Sequence, residues 1–163
     1  MKQTSRIVTS TVAALFALGV VDAPAQENDR TLEGVWAAER YVLRDGPTHQ
    51  VTGRIFFTQT EWTVLFFVVD EDGEPRRGSG EGGSYTLQGN RLVFSHLFNL
   101  STGEAMAGLP ASPLRMESRA ALEAQTEPST IEVSGDRLTI AFPSGNAMVF
   151  RRLESFMMDK PRR

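Results

Sequence analysis

The stretch Thr86–Phe94 reads "TLQGNRLVF", and Glu132–Ile140 reads "EVSGDRLTI". Each runs a short segment into Gly-Asn or Gly-Asp and resumes with Arg-Leu, the pattern of a β-hairpin whose turn needs a residue at positive φ. Two copies are too few for a solenoid, so they read as two similar hairpins of one domain. Working outward from them, turn signals recur about every eight to twelve residues from Leu32 onward, the spacing of short antiparallel strands. The links "RDGP", "DEDGEP", "QGN", "SGD" and "PSG" predict strands over 33–43, 51–59, 61–69, 79–88, 91–98, 130–134, 137–142 and 146–153.

Alternation assigns faces to these strands. In "RLTIAF", Leu138, Ile140 and Phe142 share one face, and in "RLVFSHLF" the inward set is Leu92, Phe94, His96 and Phe98. The run Trp62–Val69, "WTVLFFVV", is apolar on both faces and predicts a second layer or a partner over its outer side. Many half-buried strands with no convincing helix before residue 99 argue for an all-β closed barrel or a sandwich. Between Asn99 and Pro128 the pattern weakens. Residues 101–113 read as a small-residue loop over a barrel mouth, and Met116–Gln125 has the Ala, Glu and Leu content of a helix, with a strand as the alternative.

Within Arg77–Asn90, "RGSGEGGSYTLQGN", Gly78, Gly80 and Gly83 match the spacing of a dinucleotide-binding turn. That turn needs a helix to follow, because the helix N-terminus holds the phosphates. A strand follows here, so these glycines, with Gly82, are read as sites where a barrel strand bends or bulges.

Composition bounds the compartment and the partners. Lys2 and Arg6 precede an apolar run and then Ala23-Pro24-Ala25, which reads as a signal peptide over 1–25, leaving one domain over 26–163. The apolar run is shorter than the roughly 20 residues of a membrane span, so no stable membrane insertion is expected after cleavage, and the expected location is periplasmic or secreted. A formal net charge of −3 offers no basic face for nucleic acid. With no cysteine and two histidines, disulfides, thiolate metal sites and a histidine-rich metal site are excluded.

The first strand, "LEGVWAAERYVL" (Leu32–Leu43), carries Gly34-x-Trp36, and the last, "NAMVFRRLE", carries Arg151 and Arg152. In this order of features the chain resembles the calycin superfamily, in particular the bacterial lipocalin-like domains, over about residues 32–154. "GGSYTLQGNRLVFSH" is also similar to their central hairpin. The resemblance implies an antiparallel up-and-down β-barrel of about eight strands, with Gly34 allowing close strand approach, Trp36 plugging one end and Arg152 over its ring, Arg151 being the reserve. There is no room between the first two strands for the helical pair of fatty-acid-binding proteins, and where typical secreted lipocalins add a helix after the barrel this sequence reads the short "SFMMDKPRR".

His96 is the sharpest candidate for chemistry, since an inward histidine needs a partner and can donate, accept or exchange a proton. Tyr85 and Glu81 share a face of the preceding strand and are its expected partners, whether structural or as one polar spot in an apolar cavity. Phe57, Phe66 and Phe94 are the apolar lining of the same expected ligand site. His49 reads as solvated in "GPTHQ", and "DEDGE" (70–74) as an acidic turn too short for a calcium loop. Three functions are compatible with these residues: a non-enzymatic module binding a small apolar or amphipathic molecule, a cyclase- or isomerase-like enzyme using His96, Tyr85 and Glu81, or a protein-binding barrel. No cofactor is implied. N-terminal sequencing of the exported protein should find Gln26 first, and a start at Met1 would remove the export assignment.

Overall fold

The computed structural model describes residues 32–153, so the signal-peptide reading and the C-terminal "SFMMDKPRR" lie outside the described residues. Nine strands run in chain order: β1 Gly34–Val42, β2 Thr48–Phe57, β3 Glu61–Val69, β4 Pro75–Gln88, β5 Arg91–Gly103, β6 Ser112–Ser118, β7 Gln125–Ser134, β8 Arg137–Ala141 and β9 Ala147–Arg152. All pairings are antiparallel. β1 pairs with β9, β4 with β5 and β5 with β7, which closes an eight-stranded barrel and leaves β6 as an extra strand. Gly89 and Gly135, the turn glycines of the two similar hairpins, sit at φ +60° and +61°, as the sequence pattern demands.

Of the two readings of 116–125, the helix does not form and strand takes both ends. Met116–Ser118 belong to β6, Ala121–Glu123 form one 3₁₀ turn, and Gln125 begins β7. Leu100↔Met116 and Asn99↔Glu117 pair β6 with the upper half of β5, and this long-range pairing overrides local helix propensity. β5 is correspondingly longer than expected: residues 91–96 pair with β7 and 98–103 with β6 along the same edge. Where the two partners part, the barrel wall has a lateral opening.

The β4 glycines have two roles. A β-bulge in β5 opposite Gly82 and Gly83 leaves Leu97 without a partner, since Gly83 pairs with His96 and Gly82 with Phe98. A Cβ on Gly83 would enter the Ser95 carbonyl, so only glycine fits the bulge. The bulge also corrects the register read from the sequence. Leu92 and Phe94 are fully buried and His96 faces inward, but Phe98 turns outward and is 45% exposed, while Asn99 and Ser101 turn in. On the outer face Phe98 lies over Gly82, Leu65 over Gly80 and Phe67 over Gly78. The outer apolar residues of β3 and β5 thus lie along a glycine track, and no second layer of described residues covers β3, whose Leu65 is half exposed.

The core fills the lower half of the barrel: Trp36, Ile55, Phe57, Trp62, Leu92, Phe94, Leu138, Ile140 and Phe150 form one cluster. Gly83→Ala should destabilise the fold by about 1–3 kcal/mol, because the clash is with backbone that cannot rotate away. Chemical denaturation checks this, and a wild-type midpoint would refute the bulge.

Candidate functional site

Above this core the barrel encloses a cavity of about 350 Å³. Its walls are apolar on most sides, from Ile55, Val64, Phe66, Val68, Phe142 and Met148, with Trp62, Phe94 and Phe150 beneath. One wall is polar. Ser79 and Glu81 on β4, His96 and Ser101 on β5 and Glu127 on β7 all line it, and Glu81, His96, Ser101 and Glu127 also line a cleft at the lateral opening between β6 and β7. The polar wall therefore sits where the cavity meets solvent.

The centre of that wall is a histidine–carboxylate pair. His96 Nδ1 lies 3.0 Å from Glu81 Oε2, and Ser79 Oγ donates to Glu81 Oε1 at 2.8 Å. Burial works to raise the Glu81 carboxyl, but hydrogen bonds from His96 and Ser79 outweigh it and hold the group below its ordinary value. Trp62 stands edge-on to the imidazole, with centroids 5.2 Å apart at 85°, and Phe94 flanks it at 6.2 Å, so the ring is held on two sides. Its Nε2 has no hydrogen-bond partner among the described residues. Glu127 behaves differently: burial pushes its carboxyl up, Glu81 adds to the rise and His96 opposes it.

The mouth is strapped. Arg77 Nη1 donates to the carbonyls of Glu104 and Pro110, the latter at 2.7 Å, and Met106 and Leu109 exchange both backbone hydrogen bonds. His49, expected to be solvated, is instead 9% exposed, with Nε2 2.9 Å from the Ala107 carbonyl. The connection after β5 is thus tied to β2 and β4, over the mouth as expected, and Leu109 reaches the cavity. The acidic turn is a turn: Asp70 accepts the backbone N–H groups of Asp72 and Glu74 and the Arg76 Nε at 2.7 Å.

The opposite end is closed by Trp36. Its ring is fully buried, Nε1 donates to the Leu32 carbonyl at 2.9 Å, and the Arg152 guanidinium carbon stands 4.1 Å from the ring centroid. Arg152 also donates to the Glu33 carbonyl at 3.0 Å, beside Gly34 at φ +120°. The reserve candidate, Arg151, points outward to Glu39 at 2.8 Å. The barrel is lipocalin-like.

Similar folds occur in a lipocalin-like protein from Bacteroides uniformis, 16% identical, with a TM-score of 0.46 over 75% of this chain and 98% of that one. An uncharacterized protein from Bacteroides eggerthii, 15% identical, has a TM-score of 0.43 over 76% of this chain and 100% of that one. No family model and no curated protein matches the sequence.

Of the residues expected at the site of this lipocalin-like barrel, Glu81, His96, Phe66 and Phe94 meet at the cavity. Tyr85 and Phe57 lie lower, ring against ring at 5.2 Å, and the Tyr85 hydroxyl donates to the Thr58 carbonyl at 2.6 Å. Glu81 is therefore the partner of His96, and Tyr85 is not. The sequence reading missed Ser79, Arg77, Ser101 and Glu127. Glu127 was legible in principle: Glu127, Ser129, Ile131 and Val133 alternate with exposed residues and share the inward face of β7. Trp36→Ala should cost about 3–5 kcal/mol, as for a large ring removed from a closed core. Unchanged melting would refute the plug.

Proposed function

We propose that the protein is an exported carrier that holds a small apolar or amphipathic molecule in its barrel. The observation that carries this reading is the cavity itself: about 350 Å³, apolar on most sides, with polar groups converging on one wall. That volume and composition are typical of small-molecule sites. A carrier needs entry as well as volume, and the lateral opening beside His96 supplies a route that leaves the strapped mouth intact. The molecule's apolar part would lie against Phe66, Val64 and Met148, and its polar end against Glu81, His96 and Glu127. An open interior favours this over a role confined to displaying loops to a protein partner.

A second reading, a proton-transfer enzyme of the isomerase or cyclase kind, is favoured by one observation. Glu81 orients His96 through Nδ1 and leaves Nε2 without a protein partner, the arrangement of a general base. The two readings separate experimentally, because an enzyme would release a ligand changed in structure and a carrier would release it unchanged.

Native mass spectrometry of protein purified from the exported fraction should show a co-purifying small molecule released on unfolding. Ser101→Trp, which places an indole at the cavity wall from a half-exposed position, should abolish that mass while leaving the melting temperature within a few degrees of wild type. Retention of the ligand in Ser101→Trp would place binding elsewhere and overturn the reading.

A further inference from the structure

The polar wall also has a sign. This inference rests on the carrier reading and names the chemistry of its ligand. Glu81 is fully engaged, by Ser79 and His96. Glu127 is half-buried on the inward face of β7, lines both the cavity and the lateral cleft, and its carboxylate makes no hydrogen bond or ion pair among the described residues. A ligand in the cavity therefore meets, at its polar wall, an acceptor that no protein donor occupies, and a molecule that supplies a donor fits there.

The nearby positive groups do not meet that need. Arg77 is committed to two backbone carbonyls at the mouth, and Arg119 is bonded to Glu117. Arg115 lies on the exposed strand β6 at the rim of the cleft. The charged groups that act on Glu127 are His96 and Glu81, and one of these is itself a carboxylate. A carboxylate head seated at this wall would face two carboxylates, with the Arg115 cation left out at the rim of the cleft.

We propose that the barrel selects an apolar molecule carrying a basic nitrogen, its ammonium group bonded to Glu127 beside the Glu81–His96 pair, and disfavours carboxylate-headed lipids. The direction of the Glu127 shift agrees. Burial raises its carboxyl, so the empty barrel holds an anion at a cost that a cationic ligand relieves. The pH dependence follows in sign: the ionised form attracts ammonium, so amine binding tightens as pH rises through the titration of Glu127 and weakens as pH falls through it. Glu81 and His96 face Glu127 across the same wall, Glu117, Arg115 and Arg119 face it from the rim of the cleft, and Arg77 faces the cavity from the mouth.

Decylamine, decanol and decanoate, titrated separately into the exported protein and followed by tryptophan emission and native mass spectrometry, test this. At about pH 7.5, decylamine should bind at least about tenfold more tightly than decanoate, the effect of one charge-assisted hydrogen bond. Glu127→Gln should weaken decylamine by about tenfold and leave decanol unchanged. Because Gln removes a strained charge, the melting temperature of empty Glu127→Gln should hold or rise, which separates lost binding from lost folding. Decanoate binding as tightly as decylamine, or decylamine indifferent to Glu127→Gln, would overturn the proposal. If decanol binds but no amine preference appears, the carrier reading survives and this inference fails. If none of the three binds, both fail.

Discussion

The bulge where His96 and Leu97 face Gly83 and Gly82 governs what this barrel can hold. Without it, the alternation of β5 would carry Phe98 and Leu100 into the upper interior. With it, Phe98 goes out to cover Gly82, and Asn99 and Ser101 come in. One extra residue therefore exchanges apolar for polar lining along half a strand, since a shift of one residue moves every following side chain to the other face. The lower half stays packed, with Leu92 and Phe94 in the core, and the upper half becomes a cavity with a hydrogen-bonding wall. Glycine on the facing strand is what makes the bulge sterically possible.

The split partnership of β5 is the second consequence of its length. Its lower half is held by β7 and its upper half by β6, so the wall parts near His96 and the polar cluster is reached from the side. At the same time Arg77 and His49 fasten the connection after β5 across the mouth. Closure by Trp36 and Arg152 at the far end leaves the side as the remaining approach described by the geometry. Stability and access are thus assigned to different parts of the barrel: a dry aromatic floor below, an interrupted sheet above.

Electrostatics at the wall show the same division. Glu81 is a satisfied carboxylate whose bonds to His96 and Ser79 overcome its burial. Glu127 is a carboxylate that burial disfavours, that His96 only partly offsets, and whose side chain has no hydrogen bond or ion pair among the described residues. A structural Glu81–His96 pair and an open acidic group on the same cavity wall are what distinguish a site from a well-satisfied core, because folding alone gives no reason to keep the second.

Much of this was legible from residue order alone. The hairpins about Gly89 and Gly135, eight of the nine strands and the inward set Leu92, Phe94 and His96 follow from local rules, period-two alternation and turn glycines, and the contact of Trp36 with Arg152 from the resemblance to lipocalin-like domains. Tertiary structure decided the rest. Strand β6 forms because β5 offers it an edge, against the helical preference of its own sequence, and the outward turn of Phe98 depends on a glycine some fifteen residues away that no local pattern connects to it. The same holds for His49, buried by a distant loop, for Tyr85, drawn to Thr58 rather than to His96, and for Glu127, whose exposure to the cavity depends on where β6 leaves β5. Local sequence sets which way a strand's side chains alternate; only long-range pairing sets where that alternation is broken, and in this barrel the break makes the site.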